Sequence, residues 1–220
     1  MKTRAPAPLL SDLAYERILQ ALFDARLPMG ARLNQGDLIR ITGIPVGPVR
    51  DALKVLEADG IVTVHPRSGI EVIRPSTDLV RATFQFRSII ERQAARAFAL
   101  TTPEARLRAM LADHDAAAED FRAADANANI ADRLSDLEER FHSPIVAALG
   151  NELVDASYRR LQLMARIIKV RGAVFPRAAL VSVAEHRDVL SACLNRDEAE
   201  AERAMARHLT NALNRNLGVA

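Results

Sequence analysis

Apolar residues recur at helical spacing along most of the chain, and one short region breaks that rhythm. In LLSDLAYERILQALFDAR, residues 9–26, Leu10, Leu13, Ala14, Ile18, Ala21 and Leu22 share one side, which predicts an amphipathic helix. LPMGARLN reads as a loop, and Leu38 with Ile41 gives a short helix at about 35–42 its inward side. TGIPVGPVRDALKVLEADGIV follows. Pro48 suits a first helical position, where an N–H would have no partner, so Gly47 is expected to cap the helix. Val49, Ala52, Leu53 and Leu56 mark its apolar side and Gly60 its stop. The period then changes. Residues 61–64 and 70–73 are β-prone runs joined by HPRSG, a hairpin signature. Three helices and a hairpin make a winged helix-turn-helix, in which one helix enters the major groove and the hairpin reaches phosphate or the adjacent groove.

RPSTD around Pro75 reads as a linker, and helical spacing resumes after it. Helices are expected near 77–100, 103–124, 129–149, 152–171, 177–194 and 197–216. Thr102-Pro103-Glu104 marks one start, and Asp197 with Glu200 marks another as a capping-box-like pair. The Ala-rich stretch 116–128 reads either as helix or as a loose loop. The expected fold is mainly α: a winged helix-turn-helix unit over 1–75, then an all-helical antiparallel bundle over 76–220.

Composition sharpens this picture at three points. Aromatic residues are 4% of the 220 and Trp is absent, which favours helices over sheets. Of the 30 Lys and Arg and 28 Asp and Glu, ten cations and eight anions precede residue 75, so the small positive excess lies in the first third. Cys193 stands alone, which excludes a disulfide framework and suits a reducing compartment. No apolar run has the length of a signal peptide or membrane span, so a soluble cytoplasmic protein without membrane partners is expected. Arg50 and Lys54 lie four apart on the outer face of the third helix, where cations suit phosphate or a base edge, although a solvated face reads the same way. The tip of that helix, Pro45-Val46-Gly47, offers no side-chain donor.

The histidines carry the remaining chemistry. Glu138 and His142 are four apart and leave one helix face a turn apart. His186 accompanies Val183 and Leu190, and His208 accompanies Ala204, Met205 and Ala212. A carboxylate and three imidazoles from three helices could converge in a bundle core. Each histidine taken alone reads more readily as a core residue with its polar atoms satisfied. Asp136 is an alternative carboxylate on a different face, and His114 reads as core or pocket lining. Three imidazoles with one carboxylate suit Zn²⁺ or Ni²⁺ better than Ca²⁺ or Mg²⁺. Glu139-x-x-His142 matches half of a di-iron motif, but no second Glu-x-x-His occurs, which counts against a helical-bundle metalloenzyme.

LPMGARLNQGDLIRITGIPVGPVRDALKVLEADGIV resembles the N-terminal pattern of the GntR family of bacterial transcription regulators, through Gly30, Arg32, Leu33, Asn34, Pro48, Val49, Arg50, Ala52, Leu53, Leu56, Glu57 and Gly60. The helical remainder resembles the FCD sensor domain of the FadR-like branch. The resemblance implies a homodimeric regulator, most simply a repressor, that binds double-stranded DNA at an inverted-repeat operator and answers to a small carboxylate effector. It implies DNA contacts from Arg32, Val46, Gly47, Arg50 and Lys54 and from His65, Arg67 and Ser68 of the wing. Members commonly carry Ser-Arg-Thr where this chain has Pro45-Val46-Gly47, so Val46 is expected to read a thymine methyl and groove shape instead. Many FCD domains hold a divalent metal with an Asp four residues before a His and two further His, a layout matched here by Glu138, His142, His186 and His208. Glu138 departs from the usual Asp by one methylene. Arg87 matches an Arg that pairs with effector, and equally suits a structural ion pair with Glu91 at i+4.

Overall fold

A computed structural model describes residues 9–123, 130–170 and 175–219. The chain divides after Pro75 into two compact units. The first contains α1 (Leu10–Phe23), β1 (Arg32–Leu33), α2 (Gln35–Thr42), α3 (Val46–Ala58), β2 (Val62–His65) and β3 (Gly69–Val72). Ala14, Ile18, Ala21 and Leu22 bury one side of α1, and Val49, Ala52, Leu53 and Leu56 do the same for α3. Leu10, expected on the buried side, is exposed at the first turn of α1. That helix ends at Phe23, short of residue 26, because Asp24 caps it and Ala25 turns into the left-handed region.

A reciprocal capping box between Asn34 and Asp37 starts α2. The start of α3 corrects the expectation of a Gly47 cap: Pro45 is the N-cap and the helix begins at Val46. Pro48 thus sits third rather than first, still inside the turn whose N–H groups have no helical partner. Gly47 is therefore part of the helix, not its cap. At the other end Asp59 is the C-cap and Gly60 takes a left-handed conformation.

The hairpin pairs β2 and β3 antiparallel, with Val62 opposite Val72 and His65 opposite Gly69. Part of the segment expected as loop is a strand: β1 joins the free edge of β3, giving the order β1-β3-β2. Gly69 permits this closure. Its φ is 99°, and a Cβ there would lie 2.5 Å from the Leu33 carbonyl oxygen.

The second unit is helical, with α4 (Thr77–Thr101), α5 (Glu104–Ala123), α6 (Ile130–Ala147), α7 (Glu152–Lys169), α8 (Pro176–Leu194) and α9 (Glu198–Leu217). Ser76 and Asp197 cap α4 and α9 through their side chains. The expected helix ends at 124, 129 and 171 lie outside the described residues, as do residues 124–128 of the Ala-rich stretch; its earlier part is helical. The most extensive packing is between α4 and α9, where Ala94, Ala95, Ala99, Ala201 and Ala204 are buried and small enough for close approach. One apolar cluster gathers Phe98, Leu107, Phe141, Leu190 and Met205, and a second gathers Ala117, Phe121, Leu137 and Val183. On α5, α6 and α8, buried histidines fall in sequence between members of the two clusters. Among the described residues, no helix is long and apolar enough to cross a membrane.

Candidate functional site

The outer face of α3 presents Val46, Arg50 and Lys54 in one row, four residues apart and exposed, with Gly47 beside Val46. Arg50 Nε donates to Gln35 Oε1 at 3.0 Å, so α2 steadies it without neutralising it. Lys54 Nζ is 2.9 Å from Asp51 Oδ1, an exposed pair of small energetic weight. At the wing, His65 Nε2 lies 2.9 Å and Arg32 Nη2 3.5 Å from the same Glu71 Oε2. Arg67 and Ser68 form the exposed tip, Arg67 with a left-handed φ of 68°. The wing is tied to α3 because Val64 N–H donates to Glu57 Oε1 at 2.8 Å.

In the second unit, one ring nitrogen from each of His142, His186 and His208 lies within 4.8 Å of the others, and all three residues are buried. The rings come from α6, α8 and α9. Their tautomers follow from their partners. His114 Nδ1–H donates to the Met110 carbonyl at 2.7 Å, which leaves His114 Nε2 to accept from His186 Nδ1–H at 3.1 Å. His208 Nδ1–H donates to Glu185 Oε2 at 2.9 Å. The opposite nitrogens, His186 Nε2 and His208 Nε2, are buried lone pairs without a hydrogen-bond partner. Phe141 stacks on His186 with ring centroids 3.8 Å apart and fixes its plane.

Electrostatics keep two of these imidazoles neutral. Burial pushes His208 down to about 4, and burial also pushes His186 well below its ordinary value, reinforced by His208. A neutral imidazole with a free lone pair is the form that binds a metal. Orphaned buried acceptors are otherwise costly, so this donor set fits a divalent cation.

His142 is held differently. Its Nε2 accepts from Arg87 Nη2 at 3.1 Å. Glu91 Oε2 approaches Nδ1 at 2.7 Å, too obliquely for a hydrogen bond, so that contact is electrostatic. Glu138 Oε2 is 3.5 Å from His142 Nε2, but its carboxylate is bound by Lys169 Nζ. Glu138 therefore stands beside the triad rather than among its converging atoms. Burial would raise Glu138, yet Lys169 and His142 hold it well below the usual carboxylate range. Asp136, by contrast, lines the surface groove that includes Arg133 and Arg140.

Arg87 and Glu91 form an ion pair at 2.6 Å, 3% and 0% exposed. Tyr158 O–H donates to Glu91 Oε1 at 2.8 Å. Burial opposes the charge on Glu91, but Arg87 and His142 outweigh it and keep the group ionised. The sequence reading missed four of the groups that organise this site: Lys169, Glu185, the contact of Glu91 with His142, and the role of His114. A buried histidine left over from the metal pattern was the available signal for His114. Nothing local marks Lys169 or Glu185.

Comparison with known proteins covers most of the chain. Residues 10–72 match the model of bacterial regulatory proteins of the GntR family, and residues 82–211 match the FCD domain. A transcriptional regulator GntR from Rhodococcus sp. RHA1 superposes with a TM-score of 0.78 at 18% identity, over 96% of this chain and 98% of that one. McbR/YncC from E. coli gives 0.76 at 17% identity, over 96% and 99%. An uncharacterized HTH-type transcriptional regulator of Bacillus subtilis, YdhC, is 25% identical over 80 residues, which is 36% of each chain. The winged unit with its cationic helix, the histidine-centred bundle and the two domain matches agree: the chain belongs to the GntR family, as a DNA-binding transcription regulator with an FCD domain.

Proposed function

We propose that this protein is a homodimeric repressor whose binding to an inverted-repeat operator is set by a small organic acid held in the metal-containing pocket of its FCD domain. The observation that carries the reading is the pair of orphaned, buried lone pairs on His186 and His208 converging with the His142 ring. His142, His186 and His208 would hold the ion, with Zn²⁺ or Ni²⁺ best suited to imidazole ligands. A bound ion would supply an electrophilic anchor for a carboxylate. His114 and Glu185 keep the two lone pairs aimed, Phe141 fixes one ring plane, and Arg87 supplies a donor at the same place.

In the winged unit, Val46, Gly47, Arg50 and Lys54 would face the major groove, while Arg32, His65, Arg67 and Ser68 would meet phosphate or the adjacent groove. Two copies are expected because one short helix reads few base pairs. An effector can shift DNA binding only through different affinities for two arrangements of the dimer, one matched to the operator and one not.

Zinc binding tests the site. Against a chromophoric chelator, the wild-type chain is expected to bind one Zn²⁺ per chain and to gain thermal stability on loading. His208→Asn keeps a donor near Glu185 but removes the lone pair, and is expected to lose tenfold or more in affinity with an unchanged circular dichroism spectrum. Equal affinity of variant and wild type, or no binding by either, would overturn the assignment.

A further inference from the structure

Two cations follow Val46 on the outer row of α3, and they are held differently. Lys54 Nζ lies 2.9 Å from Asp51 Oδ1, an ion pair within its own helix. Arg50 Nε donates to Gln35 Oε1 at 3.0 Å, and that acceptor is a neutral amide from α2. The carboxylates within the two helices are engaged elsewhere: Asp37 with Arg40, Asp51 with Lys54, and Glu57 with the Val64 N–H. Among the described residues, Arg50 is thus fixed in direction by a partner that takes none of its charge.

We propose that Gln35 is a positioning residue for DNA reading: it orients Arg50 so that this arginine recognises a guanine, while Lys54 meets phosphate. The inference deepens the reading of α3 given above, because it assigns one base and the residue that sets its recognition. A guanidinium carries its N–H donors in one rigid plane. With Nε given to Gln35, Nη1 and Nη2 remain as a fork at the far end of the side chain. Guanine presents O6 and N7 side by side in the major groove, and no other base offers two acceptors there. An arginine without such a brace serves a phosphate equally well, and a phosphate carries no sequence information. The Lys54 ammonium is a point charge with no fork, which suits a phosphate.

Gln35 is well placed for this task. It is the first residue of α2, directly after the Asn34 cap, and the reciprocal capping box between Asn34 and Asp37 fixes the backbone on both sides of it. Its neutrality matters as much as its position. A carboxylate at residue 35 would hold Arg50 through an equivalent oxygen, but it would cancel the charge of the arginine and repel the DNA backbone. An amide braces the side chain and leaves the charge for DNA.

The test is selection from a randomised duplex pool with the full chain, followed by anisotropy on the selected duplex, on its single-base variants and on a scrambled duplex. Wild type is expected to favour guanine about tenfold or more at one position of the selected site. Gln35→Leu removes the acceptor and keeps the Arg50 charge. It is expected to cut that preference to less than about threefold, with wild-type affinity for the scrambled duplex and an unchanged circular dichroism spectrum. Arg50→Lys is expected to lose preference at the same position, because it keeps the charge without the fork. Gln35→Glu restores the acceptor, so it is expected to keep the guanine while lowering the dependence of log K on log salt by about 0.9. Full guanine preference in Gln35→Leu would overturn the positioning role, as would an equal loss of affinity for every duplex. Full preference in Arg50→Lys would overturn the guanine assignment. No sequence preference in wild type would overturn the reading of α3 on which the inference rests.

Discussion

Val46 puts a branched hydrocarbon where a base-reading helix usually offers a donor, and it is 40% exposed at the first position of α3. Arg50 and Lys54 follow it at intervals of four, so the helix presents one apolar contact and then two cations along a single row. An apolar side chain discriminates by fitting a thymine methyl rather than by hydrogen bonding. Val46→Arg is therefore expected to change the preferred base in each half-site, read by selection from a randomised duplex pool. An unchanged preference would show that Val46 does not face a base. At this scale the sequence was informative wherever a single helix decides the outcome. The inward turn of His186 and His208 was legible from the apolar residues around them, whereas grouping His142 with them as a metal set came from the family resemblance. Lys169 binding Glu138 was not legible, because that pair joins α7 to α6 across 31 residues and depends on how two helices slide past each other. His114 meeting His186 across 72 residues fails to show for the same reason.

Among the elements, the wing departs most from what hydropathy suggests. A two-residue strand carries no period, so β1 could not be read, yet it brings Arg32 opposite Glu71 in the sheet register. Glu71 then holds both Arg32 and His65, two of the groups expected to meet DNA. These are exposed contacts of small intrinsic strength, but they cancel charge on the surface that would approach phosphate. Glu71→Gln keeps the strand and frees the Arg32 charge. It is expected to raise affinity for a scrambled duplex severalfold and to steepen the dependence of log K on log salt by about 0.9, one added phosphate contact. The same slope and affinity as wild type would mean that the wing cations do not reach DNA. The start of α3 teaches a related lesson. Pro48 was a correct sign of a first turn, but any of its early positions accepts a proline, so the helix could begin two residues sooner.

For the whole molecule, the two-part layout was legible because the period changes from two back to helical at Pro75, close to where the units divide. The helices α5, α6, α8 and α9 that carry His114, His142, His186 and His208 also followed from spacing, whereas the pairing of each nearby acidic group with a cation emerged only from the packed bundle. The winged helix-turn-helix and the buried histidine cluster lie in separate units. In the proposed mechanism, coupling between them is a difference in affinity for two arrangements of a dimer, and it acts in both directions. The most direct test is fluorescence anisotropy of the full chain on its own upstream intergenic DNA and on a scrambled duplex. It is run first with chelator and then with Zn²⁺ and a small carboxylate that calorimetry shows to be bound. Clear preference for the upstream DNA is expected, weakened severalfold or more when the site is filled. Preference that stays the same with the pocket demonstrably filled would contradict this mechanism.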